Sequence, residues 1–86
     1  MTTEDLERLL QDIEDADVEK QEMFHELVQR TIRLLSLEDE DVAEQLNVSR
    51  PSVGRWRRGT SAPHPIMRRT VYAWLSQRVK EEMHVH

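Results

Sequence analysis

Apolar residues recur along this chain every three or four positions, which is the spacing of one face of an α-helix. The stripe of the first predicted helix consists of Leu6, Leu9, Leu10 and Ile13. Thr3 precedes two acidic residues and is expected to cap this helix, because its side-chain oxygen can accept a free N–H of the first turn. The segment from Asp15 to Asp17 interrupts the pattern, and a longer stripe then predicts a helix over residues 18–35.

Two shorter helices are predicted in the middle of the chain. Ser36 is a suitable N-cap for the first of them. This helix is expected to bury Val42, Ala43 and Leu46. It should end near Asn47, because asparagine tolerates the left-handed backbone of a tight turn.

The second short helix contains most of the arginines in its half of the chain. Ser49 is expected to cap it, Pro51 fits its first turn, and Gly59 should end it. Val53 and Trp56 lie three positions apart and are expected to face the interior. The residues that then face outward are Pro51, Gly54, Arg55 and Arg58, with Arg50 and Arg57 on the flanks.

A last helix is predicted from Pro65 to Lys80, after a proline-containing loop at 60–65. Its expected core stripe is Met67, Val71, Trp74 and Leu75. A further apolar face, formed by Tyr72, Leu75 and Val79, is expected to supply a dimer contact. Because no strand pattern is present, the sequence predicts an all-α fold, a small bundle of about five helices.

This 86-residue chain has a net charge of −5, and its charged residues are unevenly distributed along the sequence. Residues 1–48 hold fifteen acidic and four basic residues, whereas residues 49–80 hold eight basic residues and no acid. The basic segment forms either a positive binding surface or a solvated face whose arginines pair with the acidic half. We predict three regions: an acidic, helical N-terminal extension (1–16), a main helical domain (17–80) and a C-terminal tail (81–86).

Several classes of protein are disfavoured by what the sequence lacks. It has no cysteine, so disulfides and zinc–thiolate sites are excluded. No apolar run approaches the roughly 18 residues of a membrane span, so no membrane association is expected. No nucleophile–base pair, phosphate-binding glycine loop or metal motif is recognisable. We therefore expect a protein that is not an enzyme and that uses no cofactor or metal.

The segment LEDEDVAEQLNVSRPSVGRWRRGTSAP, residues 37–63, resembles the Xre/Cro-like helix-turn-helix regulators of bacteria and phages. The features it shares with them include a small residue in the first helix (Ala43), a serine that opens the recognition helix (Ser49), and the closing Trp56 and Gly59. Two positions depart from the family pattern. Asn47 replaces the usual turn glycine, and Arg57 stands where an acid often follows the tryptophan.

The resemblance implies a lambda-repressor-like fold that reads duplex DNA with the helix at 49–58. Because the N-terminal half of such a helix meets base edges, the expected base contacts are Arg50, Pro51, Ser52, Gly54 and Arg55. The expected phosphate contacts are Ser49, Arg57, Arg58, Thr60, Ser61 and His64. The acids at 38–41 would repel phosphate, so we expect them to point away or to orient arginines.

The sequence thus predicts a sequence-specific double-stranded DNA-binding regulator, expected to be a repressor. The expected partner is a palindromic operator bound by a homodimer in the cytoplasm. The alternative is a protein-interaction module, such as an antitoxin or anti-regulator, that acts through its acidic N-terminal segment. The extension at 1–16 is expected to dock away from the recognition helix, and a rival possibility is that its acids shield the arginines.

Overall fold

Five helices account for most of the chain in the computed structural model, which describes residues 2–85. Within these residues there is no β-strand, so the predicted all-α class is confirmed. The helices are α1 (Thr3–Glu14), α2 (Gln21–Leu34), α3 (Asp39–Leu46), α4 (Arg50–Arg58) and α5 (Pro65–Val85).

The first two helices begin at positions other than those predicted. Thr2, and not Thr3, caps α1: its Oγ1 accepts from the Asp5 N–H at 3.1 Å, and Asp5 Oδ2 accepts from the Thr2 N–H at 3.3 Å. This reciprocal pair satisfies two donors at once. α2 begins at Gln21 and not at residue 18, because a turn at 17–20 is closed by a bond from the Lys20 N–H to the Asp17 carbonyl.

The start of α3 also differs from the prediction. Ser36 is not its N-cap, since Ser36 adopts a left-handed backbone with φ of 54°. Glu38 caps the helix instead, in a reciprocal arrangement with Asp41. The predicted end is confirmed: Asn47 follows the last residue of α3 with φ of 56°.

α4 begins and ends where its local sequence predicted. Ser49 caps it through a 3.2 Å bond that its Oγ accepts from the Ser52 N–H. Pro51 lies in the first turn, where its missing N–H costs no helical bond. Gly59 ends the helix with φ of 81°, a conformation that glycine adopts without steric cost.

α1 is part of the core of the domain. Its predicted apolar residues Leu6, Leu9 and Ile13 are buried. The helix packs chiefly against α5 and also contacts α2, whereas α4 packs against α3 and α2. The acidic extension therefore docks on its own domain, and its main contacts are with helices other than α4.

α5 differs from the prediction in its length and in its buried face. It continues beyond Lys80 to Val85. Val71 and Leu75 are buried as predicted, but Met67 and Trp74 are only half-buried. Tyr72 and Val79, expected on a free dimer face, are buried within the monomer, where α1 and α2 both pack on α5 and Tyr72 contacts Phe24 of α2. The predicted dimer face is therefore wrong.

Arg68 of α5 joins two connecting segments from inside the fold. Its side chain is buried and donates from Nε to the Pro63 carbonyl and from Nη1 to the Val18 carbonyl, each at 2.8 Å. These bonds tie the connection before α5 to the one between α1 and α2. None of the helices is long and apolar enough to cross a membrane within the described residues.

Candidate nucleic-acid interface

α4 presents arginine because its opposite face is fixed in the core. Val53 is fully buried, and Trp56 packs edge-to-face on Phe24, with ring centroids 5.7 Å apart. The arrangement leaves Arg50, Arg55 and Arg58 exposed, and Pro51 is exposed beside them. We call these three arginines the arginine surface.

Gly54 is not exposed, although its position in the helix predicted an outward orientation. It is buried, and a Cβ atom built on it would lie 3.0 Å from Nη1 of Arg58. The Arg58 guanidinium therefore covers the backbone at this point. A glycine here lets that side chain lie close against the helix.

Three predicted site residues are linked along the N-terminal half of α4. The hydroxyl oxygens of Ser49 and Ser52 lie 2.7 Å apart, and Arg55 Nη2 donates to Ser52 Oγ at 3.3 Å. Ser49 is also engaged as the helix cap. The serines thus support Arg55 on the exposed side of the helix, and whichever serine donates to the other, these bonds leave one of the two hydroxyl hydrogens free to donate.

Arg57 is held by an acid of the preceding helix. Its Nε and Nη2 donate to the two carboxylate oxygens of Asp39, at 2.9 and 2.8 Å. These hydrogen bonds, with the charge of Arg57, hold the pKa of the Asp39 carboxyl below its usual value in spite of partial burial. The charges of Arg50 and Arg58 lower the same pKa further. Arg57, predicted as a phosphate contact, therefore has two of its three guanidinium nitrogens bound to Asp39 within the protein.

Three acids at the start of α3 are engaged within the protein. Glu38 and Asp41 cap the helix, and Asp39 binds Arg57. The expectation that acids of this segment orient arginines is confirmed for Asp39. No sequence signal pointed to this particular pair, because the two residues lie 18 positions apart.

The segment after α4 is polar and is bound to both neighbouring helices. Thr60 Oγ1 donates to the Arg55 carbonyl at 3.3 Å, and Ser61 is exposed. His64 Nδ1 accepts from the Ile66 N–H at 3.2 Å, in the first turn of α5. These three predicted site residues therefore follow directly from the C-terminal end of α4.

His25 of α2 contacts the back of α4. Its Nδ1 lies 3.0 Å from the carbonyl oxygen of Trp56, and its ring is half-buried. This bond holds the end of α4 against α2. Only its place on a helix could be predicted from the sequence, since its partner is a backbone atom of a distant segment.

Comparisons of the chain with protein-family models, with curated proteins and with solved structures give no match. The function of the chain must therefore be inferred from the charge and geometry of α3, α4 and the segment that follows α4. Within the described residues, no group of three or more His, Asp or Glu side chains is arranged to hold a metal ion.

Proposed function

We propose that the chain binds double-stranded DNA in a sequence-specific manner and regulates transcription, acting as a repressor. The observation that carries this proposal is the arginine surface of α4. Three arginines lie on one side of a helix whose other side is buried, with no acid between residues 49 and 80. A helix with its side chains is about 10–12 Å across and fits the major groove of B-DNA.

The connection between α3 and α4 supports this mode of binding. The two helices pack against each other across residues 47–49, and Asn47 supplies the left-handed turn. We interpret them as a helix-turn-helix, with α4 as the recognition helix. In that motif the N-terminal residues of the second helix meet base edges.

The proposed contacts follow from exposure and chemistry. Arg50 and Arg55 are the proposed base readers, because arginine can bind O6 and N7 of guanine together. Pro51 can pack on a thymine methyl group. Arg58 and the segment at 60–64 reach further along and are the proposed phosphate contacts.

The proposed target also implies how many copies of the chain bind together and where in the cell they act. Recognition helices of this kind commonly occur in pairs on a palindromic site, so two copies are expected on one operator. A cytoplasmic location follows from that target. The alternative is a protein-interaction module that uses the acidic N-terminal segment. Because the apolar stripe of α1 is buried in the chain's own core, such a module would act through the exposed acids of that helix.

The test is selection of binding sites from duplexes of random sequence, followed by titration of the enriched duplex. We expect a palindromic motif, and an affinity that falls steeply as salt rises above about 0.1 M, because phosphate contacts release counterions. Arg8, an exposed arginine of α1, provides a control: Arg8→Ala should leave the motif unchanged. Failure of the wild-type protein to bind any duplex at low salt would remove DNA as the target.

A further inference from the structure

The carboxylate of Asp39 lies among the arginines of α4. It accepts two hydrogen bonds from Arg57, and the charges of Arg50 and Arg58 also act on it. Two hollows flank this point on the surface, and Asp39, Arg50 and Arg57 line both of them. An acid thus lies on the same side of the molecule as the proposed phosphate contacts.

We infer that Asp39 is an internal counter-ion of the DNA-binding surface: it neutralises Arg57 and so lowers the affinity of the protein for DNA of any sequence. The inference rests on the proposed function. Affinity that does not depend on sequence comes from cationic side chains that displace counterions from phosphates. A closed Asp39–Arg57 pair carries no net charge, so it displaces none.

The geometry of the pair favours its staying closed when DNA is bound. Both carboxylate oxygens and two guanidinium nitrogens take part, which is the strong, bidentate form of this interaction. The side chains are partly shielded, with 35% of Arg57 and 20% of Asp39 exposed. Asp39 therefore affects DNA binding only through Arg57, as a positioning residue, and does not itself contact a base or a phosphate.

The experiment compares the wild type with Asp39→Asn, Arg57→Gln and the double variant. The affinity of each for a duplex of arbitrary sequence is measured between about 0.1 and 0.4 M salt. Asp39→Asn releases Arg57, so the slope of log affinity against log salt should steepen by about one. Its affinity at physiological salt should rise roughly three- to tenfold. The preferred sequence should not change.

The double variant provides the decisive comparison. It has the same net charge as the wild type and lacks both partners, so its slope should equal the wild-type slope. A shallower slope by about one would mean that the pair opens and that Arg57 contacts phosphate in the wild-type complex, which would overturn the inference. Thermal unfolding of each variant establishes that the fold is retained.

Glu40→Gln is the matched control for charge. Glu40 is exposed in the first turn of α3 and lines one of the two hollows, but it forms no ion pair with an arginine in the described part of the chain. Its loss should change the slope much less than Asp39→Asn does. Equal effects of the two variants would contradict a specific role for the pair. Absence of wild-type binding to every duplex would instead overturn the proposed function, and this inference with it.

Discussion

At the scale of single residues, the arginines of α4 differ in what holds them. Arg55 is supported by Ser52 on the side of the N-terminal half, and Arg58 lies over Gly54. Arg57 is bound to Asp39 and is half-buried. Side chains of one chemical type on one short helix are therefore expected to contribute to DNA binding in different ways.

Substituting Arg55 and Arg58 separates two of these contributions. Arg55→Ala should relax the base preference at one position of each half-site. It should also weaken binding to the preferred sequence by roughly 1–3 kcal/mol. Arg58→Ala should weaken binding to all sequences alike and make the slope of log affinity against log salt shallower by about one. Titration of the selected and a scrambled duplex measures both effects. If both variants lost affinity equally for the selected and the scrambled duplex, the assignment of Arg55 as a base reader would be contradicted.

Tyr72 gives a prediction about stability and pH. Its hydroxyl is buried without a hydrogen-bond partner among the described residues, and burial raises the pKa of Tyr72 to about 12. The neutral phenol is thus favoured in the folded state. The contribution of this group to the free energy of unfolding is therefore fully present below about pH 10 and is lost as the pH rises toward 12. Tyr72→Phe should stabilise the fold by about 1 kcal/mol at neutral pH and should keep the packing on Phe24.

Urea unfolding of both proteins at pH 7 and pH 11 tests this prediction about Tyr72. The advantage of the phenylalanine variant should grow at the higher pH, because the unfolded wild-type chain then gains a deprotonated phenol. A variant that is less stable than the wild type at pH 7 would indicate that the hydroxyl has a favourable partner in solution.

At the scale of helices, the sequence predicted best what short-range chemistry decides. α4 has a serine cap, a proline in its first turn and a glycine at its end, and all three act within a few residues. Ser36 failed as a cap because Glu38 offers an equivalent arrangement with Asp41 two positions later. The end of α5 carried no local signal, since neither glycine nor proline follows Lys80.

Faces of helices were harder to predict than their ends. Periodicity alone could not show which side of α5 is covered, because α1 comes from the other end of the chain to cover it. The same holds for the candidate site. Exposure of Arg55 and Arg58 followed from the positions of Val53 and Trp56, whereas the Asp39–Arg57 pair depends on a contact between two helices.

The packing of α1 leads to a prediction at this scale. Leu9 is fully buried, and its neighbour Leu10 is only partly so. Leu9→Ala should destabilise the fold by roughly 2–5 kcal/mol, the usual cost of a cavity in a core. Leu10→Ala, with the same chemical change, should cost clearly less. Chemical unfolding measures the difference, and equal costs would mean that α1 is not docked in this register.

For the whole molecule, the position of the apolar residues bears on assembly. The face expected to form a dimer is buried within one chain, and among the described residues the large apolar side chain left exposed is Ile66, at 72%. Stable interfaces bury at least about 1,200 Å² and have an apolar centre. We therefore expect the free protein to be monomeric at micromolar concentration and to pair on its operator.

Sedimentation with and without the selected duplex tests this expectation about assembly. One copy should be found in free solution and two on a palindromic site. The same duplex with one half-site scrambled is the control, and it should bind a single copy more weakly. A dimer that forms without DNA would show that a polar surface is sufficient for association.

The basic residues are concentrated in one segment of the chain, but the total charge of the protein is repelled by DNA. The molecule measures 31 Å in its longest direction and carries a net charge of −5. The ionic atmosphere extends about 8 Å at physiological salt and about 30 Å at 0.01 M. In concentrated salt a phosphate on the protein therefore interacts only with the nearest arginines, but in dilute salt it is also repelled by acids further away. The gain in affinity on dilution should accordingly level off near 0.01 M, and titrations carried to that range would reveal a plateau.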